Sequence, residues 1–215
     1  MTDTIAVLNG GSGGVDDGHG IEATRRRLSP RQAEVVAQLV QATVDEVEEV
    51  GYTGLTVRNV ARRAGVAPAT AYNYFSSKDH LLAEVLWRGM QALPAVDADA
   101  GRSVHDRVAD AVRAMVLLTT ESAALVDAST QALLSSNPDV KHLRDLIGNQ
   151  IHRRLAAAVG PGVDPMVVRV LQTSFSGALL EAGTGHMSSM DIPEFLAAAT
   201  TLMIGSGTRG RRGRR

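Results

Sequence analysis

The side chains best suited to bind another molecule lie in one short stretch, residues 55–82. Hydroxyl, amide and cationic groups are interspersed there with small apolar residues; the candidates are Thr56, Arg58, Pro68, Ala69, Thr70, Tyr72, Asn73, Tyr74 and Lys78. Arginine and lysine neutralise phosphates. Asparagine and arginine can make paired hydrogen bonds to base edges, and small apolar groups can touch a thymine methyl. This combination favours double-stranded DNA as the partner.

Two short predicted helices position these side chains. Thr56 is a good N-cap for a helix that ends near Ala64, and Gly65 supplies the left-handed residue of a sharp turn. A second helix begins near Pro68 and ends around Phe75. This layout is that of a helix-turn-helix, whose second helix enters the major groove of DNA.

Helical periodicity and good capping signals flank this motif on both sides. Ser29, Pro30 and Gln32 open a helix that ends at Gly51, and another helix runs from Ser77 to about Leu93. No stretch shows sustained strand alternation, which predicts an all-α protein. We expect a disordered N-terminal arm (1–28), a helix-turn-helix domain (29–93), a ligand-binding and dimerisation domain (101–204) and a disordered basic tail (205–215), the last helix ending near Ile204.

This stretch resembles the TetR family of bacterial transcriptional regulators, over roughly residues 30–90. The matching residues are Gly51-Tyr52, Leu55-Thr56-Val57-Arg58-Asn59-Val60-Ala61, Ala64-Gly65-Val66, Thr70-Ala71-Tyr72-Asn73-Tyr74-Phe75, Ser77-Lys78 and Leu81-Leu82. The resemblance implies a homodimer of about nine helices per chain with two DNA-binding heads. It also implies site roles: Thr56 and Arg58 contact DNA from the first helix, Thr70, Tyr72, Tyr74 and Lys78 hold phosphates, and Tyr72 and Asn73 lie near base edges.

The sequence departs from the family pattern at three positions. Ala67 replaces the serine that commonly caps the second helix of the motif, so that this helix depends on Pro68. Ala71 replaces a leucine, which removes part of a packing contact. His80 replaces the glutamate expected in the capping box of the following helix.

The C-terminal half carries the expected ligand and dimer contacts. Its ligand-pocket candidates are apolar and favour a lipid-like, steroid-like or acyl ligand: Trp87, Met90, Met115, Leu118, Leu125, Leu133, Leu134, Leu146 and Phe175. By resemblance, the helices at 164–183 and 193–204 form a four-helix bundle across the dimer. The apolar seam is expected at Leu171, Phe175, Leu179, Leu196, Leu202 and Ile204, although each of these residues also fits an ordinary core.

Composition limits the other classes of function. The chain of 215 residues has no cysteine, which excludes disulfides and thiol chemistry, and its net charge of −1 neither supports nor opposes nucleic acid. The six histidines lack the spacing of a metal pair, so we expect no metal and no cofactor. No catalytic motif, secretory signal or membrane-spanning run is present, and a cytoplasmic non-enzyme is expected.

The sequence therefore predicts a ligand-responsive transcriptional regulator. We expect a homodimeric repressor that a small apolar molecule releases from a palindromic operator. The alternative is a small-molecule binding or multidrug-sensing protein with little sequence-specific DNA binding.

Overall fold

A computed structural model describes residues 29–98, 101–120 and 122–210. Nine α-helices and a short 3-10 turn, with no strand, make up the regular structure of these ranges. The helices are α1 (Pro30–Gly54), α2 (Val57–Arg63), α3 (Pro68–Tyr74), α4 (Lys78–Ala92), α5 (Val104–Thr120), α6 (Ala123–Leu133), α7 (Pro138–Val159), α8 (Pro165–Gly183) and α9 (Ile192–Gly210). The all-α prediction is confirmed. None of the described helices combines the length and apolarity needed to cross a membrane.

The predicted helix starts and stops correspond to specific local contacts. The Ser29 backbone N–H donates to Gln32 Oε1 at 2.9 Å, and the Gln32 N–H donates to Ser29 Oγ at 3.4 Å, which completes the capping box. Gly51 interrupts α1 with a φ of 65°, a conformation that side chains with a Cβ resist. The turn after this interruption ends α1 at Gly54 and leads into α2.

The chain divides into two compact units, and all residues of the helix-turn-helix belong to the first unit. This unit takes in described residues 29–92 and 122–147. Its core joins α1–α4 to α6 through fully buried side chains that include Leu39, Val60, Phe75, Leu81 and Ala128. The helix-turn-helix is therefore built on a scaffold that includes a helix from later in the chain.

The second unit takes in described residues 93–98, 101–120 and 148–210. Its helix α9 packs against α5 and α8. Val108, Val112, Leu171, Ile192 and Leu196 are fully buried there. Arg107 Nε donates to the Ala158 carbonyl at 2.9 Å, which satisfies one of the carbonyls left without an intrahelical partner at the end of α7.

The end of the chain differs from the prediction. Helix α9 continues to Gly210, six residues beyond its predicted end at Ile204, so that residues 205–210 are helical rather than part of a disordered tail. Glycine weakens a helix by its conformational entropy but does not forbid helical dihedral angles. A 3-10 turn (Ser189–Asp191), opened by Ser188, precedes α9. The predicted arm at 1–28 and the last residues of the tail, 211–215, lie outside the described residues.

Candidate nucleic-acid interface

The turn between α2 and α3 is held by backbone hydrogen bonds and one glycine. Thr56 Oγ1 accepts a hydrogen bond from the Asn59 N–H at 3.1 Å and so caps α2. The Val66 N–H donates to the Ala61 carbonyl at 2.9 Å across the end of α2. Between them, Gly65 has a φ of 67°, in the left-handed region that closes helices. The geometry fixes where α3 begins.

Helix α3 has one buried face and one exposed face. Ala71 and Phe75 are fully buried and lie four residues apart, which places them on the same side of the helix. Tyr72 is 53% exposed, and Asn73, Ala69 and Pro68 are also exposed. The small side chain at Ala71, where the family has leucine, is thus a core contact. An aromatic phenol and an amide point away from the core on a seven-residue helix.

Ala67 gives α3 no side-chain cap, as the sequence predicts. Instead, Pro68 occupies the first helical position, where its missing N–H is not needed. The Thr70 N–H donates to the Ala67 carbonyl at 2.9 Å. The start of α3 therefore depends on backbone contacts alone.

The arginines of α2 divide into free and engaged side chains. Arg63 Nε donates to the buried Glu46 carboxylate at 2.6 Å, and its Nη2 contacts Glu49. These contacts raise the pKa of Arg63, the hydrogen bond to Glu46 contributing most. Arg58 and Arg62 are exposed. Arg58 and Arg62 are thus the arginines of α2 available to bind a phosphate, while Arg63 joins α2 to α1.

Lys78 is also engaged within the protein. Its Nζ donates to the Tyr52 carbonyl at 2.7 Å and lies 3.8 Å from the centroid of the Tyr52 ring. The Tyr52 hydroxyl donates to Asp79 Oδ1 at 2.8 Å. Burial, followed by that hydrogen bond, raises the pKa of Tyr52 to about 12. Because an ammonium has three donors, Lys78 can bind a phosphate while it holds Tyr52.

A polar cluster at the start of α4 was not foreseen from the sequence. Ser77 Oγ accepts from the His80 N–H at 3.1 Å, and His80 Nδ1 accepts from the Ser76 N–H at 3.3 Å. His80 thus accepts a hydrogen bond from a backbone N–H just before α4, a role similar to that of the glutamate in a capping box. Ser76 Oγ donates to Asp139 Oδ2 at 2.8 Å, and Asn137 Nδ2 donates to Ser76 Oγ at 3.3 Å. No local pattern reveals a contact across about sixty residues.

The nine predicted DNA-binding residues lie together in the first unit. Thr56, Arg58, Pro68, Ala69, Tyr72 and Asn73 are exposed, and Thr70, Tyr74 and Lys78 are half-buried. The Thr56 oxygen is used in capping α2, but its O–H remains a donor that a phosphate can accept from.

Known proteins are similar to this chain in both sequence and fold. A family model described as bacterial regulatory proteins, tetR family, matches residues 39–85. An uncharacterised HTH-type transcriptional regulator of Mycobacterium tuberculosis is 40% identical over 176 residues, which are 81% of this chain and 82% of that protein.

The chain belongs to the TetR family of HTH-type transcriptional regulators.

More distant transcriptional regulators resemble it over most of their length. The transcriptional repressor KstR of Mycolicibacterium smegmatis is 28% identical, over 83% of this chain and 91% of KstR. The crystal structure of a TetR transcriptional regulator from Rhodococcus sp. RHA1 has a TM-score of 0.62 at 25% identity, covering 82% of this chain and 98% of that one. FadR from Bacillus subtilis, crystallised with stearoyl-CoA, shares the fold with a TM-score of 0.53 at 20% identity, over 76% and 96% of the two chains.

The predicted ligand-pocket residues of this TetR-family chain fall in both units. Trp87, Met90, Leu125, Leu133 and Leu146 lie in the first, and Met115, Leu118 and Phe175 lie in the second. All eight are buried or half-buried. Leu134 is 73% exposed, so its prediction as a pocket wall was wrong. Within the described ranges, no group of three or more histidine, aspartate or glutamate side chains is placed to hold a metal ion.

The predicted dimer seam lies partly inside the chain. Leu171, Phe175 and Leu196 are at most 2% exposed, so these three residues were wrongly assigned to an outer surface. They point into the second unit because α9 packs against α8 within the same chain. Helical periodicity alone does not distinguish the two apolar faces of these helices.

A different set of apolar side chains forms the exposed face of α8 and α9. Met166, Val170 and Leu180 on α8 are 57%, 40% and 48% exposed, and Phe195 and Leu202 on α9 are 47% and 74% exposed. On α8, the exposed residues Thr173 and Gly177 fill the intervening positions of the same stripe; on α9, the exposed residues Ala198 and Gly205 do so. We call this surface the α8/α9 stripe. A Cβ added at Gly177 or Gly205 would meet nothing within 4 Å, so small residues there leave the face open.

Proposed function

We propose that this TetR-family regulator is a homodimeric repressor that binds a palindromic operator and is released from it by a small molecule. Helix α3 of each subunit lies in the major groove, and the two heads contact half-sites about one helical turn apart. The protein acts in the cytoplasm, where its operator DNA is found.

The observation that supports this proposal is that α3 has one buried face and one exposed face. Ala71 and Phe75 fasten the helix to the core, and the same turn of helix exposes Tyr72 and Asn73. Asn73 has the donor and acceptor pair that suits adenine, and the Tyr72 hydroxyl suits a phosphate. Arg58, Arg62 and Lys78 supply nearby positive charge.

The α8/α9 stripe supports a homodimer. Its exposed apolar side chains follow helical spacing along two long helices and alternate with small residues that allow close approach. Exposed apolar patches of this kind mark interaction surfaces. A second copy of the chain offers the same stripe, and twofold pairing of identical patches is the commonest way to form a dimer.

An effector that is largely apolar is supported by the candidates of the second unit, Met115, Leu118 and Phe175, which are apolar and buried or half-buried. KstR is named as a repressor, and FadR holds stearoyl-CoA in its crystal structure. A ligand releases the operator only if it binds the DNA-incompetent state more tightly than the DNA-bound state.

The proposal is tested by fluorescence anisotropy with the DNA immediately upstream of the gene that encodes this chain. Tyr72→Ala should weaken binding by roughly 5- to 150-fold, because each such contact contributes roughly 1–3 kcal/mol. Leu134→Ala is the control, since it shortens another exposed side chain of the same unit outside the helix-turn-helix. Wild-type binding no tighter than that of Tyr72→Ala would exclude this role for α3.

The alternative of a small-molecule sensor with little sequence preference gives a different result in the same assay. Binding would then be similar for upstream DNA and for a scrambled duplex, and would disappear together on both as salt is raised. Binding by a repressor is instead expected to persist on the operator at salt concentrations that abolish binding to the scrambled duplex.

A further inference from the structure

Two arginines of the second unit are buried to nearly the same degree, Arg107 at 8% exposed and Arg154 at 6%. Arg107 donates to three backbone carbonyls. Its Nε and Nη2 donate to the carbonyls of Ala158 and Val159 at 2.9 and 3.2 Å, and its Nη1 donates to the Arg102 carbonyl at 2.6 Å. Its position at the C-terminal end of α7, where the helix dipole is negative, explains why a cation is stable there.

Arg154 has no such surroundings. Its Nη2 donates to the Pro94 carbonyl at 2.8 Å. Its Nε is buried and has no hydrogen-bond partner among the described residues. Burial lowers the pKa of Arg154, and no acidic side chain in the described part of the chain opposes that effect. The guanidinium is therefore a buried cation with one neutral acceptor.

Such a group is unfavourable unless an anion completes it. A buried donor without an acceptor loses its hydration and gains nothing in return, and the penalty is larger for a charged group. Guanidinium groups bind the two oxygens of a carboxylate through a planar pair of N–H donors. The free Nε–H of Arg154 is one member of such a pair.

We propose that Arg154 is the binding site for the carboxylate of the effector, which is then an apolar molecule with a single anionic head. This assignment rests on the proposed function and specifies its ligand class. A carboxylate fits better than a phosphate ester, because a dianion would need a second positive charge, and the other buried arginine of the second unit, Arg107, already donates to carbonyl oxygens.

The test is calorimetric titration of the full chain, without DNA, with acetate, decanoate and hexadecanoate. Decanamide serves as the uncharged analogue of decanoate, and decyl phosphate as the phosphate analogue. The variants are Arg154→Met and Arg154→Lys, with Arg153→Met as the matched control, because Arg153 is the exposed neighbour on the same helix. Thermal unfolding of each variant without ligand verifies that it folds.

Decanoate or hexadecanoate should bind wild type and Arg153→Met alike, and at least about tenfold more weakly to Arg154→Met, as expected when one partner of a buried charge pair is removed. Arg154→Lys keeps the charge, and its affinity for carboxylates should lie between those of wild type and Arg154→Met. Decanamide should not distinguish wild type from Arg154→Met. The assignment is overturned if no carboxylate binds the wild type, if Arg154→Met binds carboxylates as well as wild type does, or if only decyl phosphate depends on Arg154.

The outcome is independent of the DNA assay. If operator binding fails while decanoate binding depends on Arg154, the repressor proposal falls and the anion site stands. If the operator is bound but binding of no carboxylate depends on Arg154, the repressor proposal stands and the anion site is excluded.

Discussion

Lys78 and Tyr52 are joined twice, by a 2.7 Å hydrogen bond from Nζ to the tyrosine carbonyl and by a 3.8 Å approach of Nζ to the ring centroid. The lysine expected to hold a phosphate therefore also fastens the end of α1 to the start of α4. Tyr52 is held at its other end by Asp79. In the chain, the helix-turn-helix lies between these two helices, so this contact joins the helices on either side of it.

Lys78→Met should lower both stability and DNA affinity, whereas Tyr52→Phe should lower only stability. The methionine loses the cation–π contact and the hydrogen bond, about 1–2 kcal/mol in all, and one phosphate contact. The phenylalanine loses only the hydrogen bond to Asp79, about 1 kcal/mol. The measurements are urea unfolding and the slope of log K against log salt, which should fall by about one in Lys78→Met. An unchanged slope would show that Lys78 is purely structural.

Gly65→Ala should destabilise the protein by about 1–2 kcal/mol through backbone conformation alone. Gly65 has a φ of 67°, and an added Cβ would meet nothing within 4 Å. Gly65→Asn is the matched control, because asparagine tolerates the left-handed region better and should cost less. Equal urea midpoints for the alanine and asparagine variants would contradict this explanation.

His80 should make the protein less stable in mild acid. Burial lowers the pKa of His80, an effect only partly opposed by Asp139 and Glu84, the acidic groups that face it. Its Nδ1 must be unprotonated to accept from the Ser76 N–H. With a folded-state pKa below that of the unfolded chain, the contribution of His80 to stability is fully present above about pH 6.5 and is lost as the pH falls below that value.

Urea midpoints at pH 7.5 and 5.5 test this dependence on His80. His80→Gln keeps a hydrogen-bond acceptor but does not titrate, so its midpoint should change less between the two pH values than that of wild type. If both proteins lose stability equally, the acid sensitivity belongs to other groups.

Charge introduced on the α8/α9 stripe should dissociate the dimer. Phe195→Glu and Leu202→Glu each place a carboxylate in an apolar face that a second copy would cover, and this desolvation is unfavourable. Leu134→Glu is the control, because Leu134 is as exposed as Leu202 but lies in the first unit. Sedimentation velocity should show dimers for wild type and the control and monomers for the two α9 variants. Dimers in all four proteins would place the interface elsewhere.

Local features of the sequence were enough to predict the fold and the binding motif. Ser29 and Thr56 act through hydrogen bonds to neighbours in the chain, and Pro68 and Gly65 act through their own backbone dihedral angles, so that each signal can be recognised without tertiary structure. Repeated aliphatic spacing identified the helices in the same way. The buried Phe75 and exposed Tyr72 follow from the period of one short helix.

Contacts between distant residues could not be predicted in this way. The sequence does not indicate that Arg63 and Lys78 are engaged within the protein; packing against α1 brings them to Glu46 and Tyr52. The link from Ser76 to Asp139 depends on the placement of α7. The prediction of the dimer seam was partly wrong for a related reason. Helices α8 and α9 carry apolar residues on two faces, and periodicity does not indicate which face is buried within the chain itself.

The most direct test of the central claim is selection of binding sites from a pool of random duplexes, followed by footprinting of the selected site. The account predicts an inverted repeat whose two half-sites are protected about one helical turn apart, with Tyr72→Ala and Asn73→Ala selecting weakly or without preference. Recovery of unrelated sequences by the wild-type protein, with protection that does not depend on Tyr72 or Asn73, would contradict the claim that α3 reads DNA.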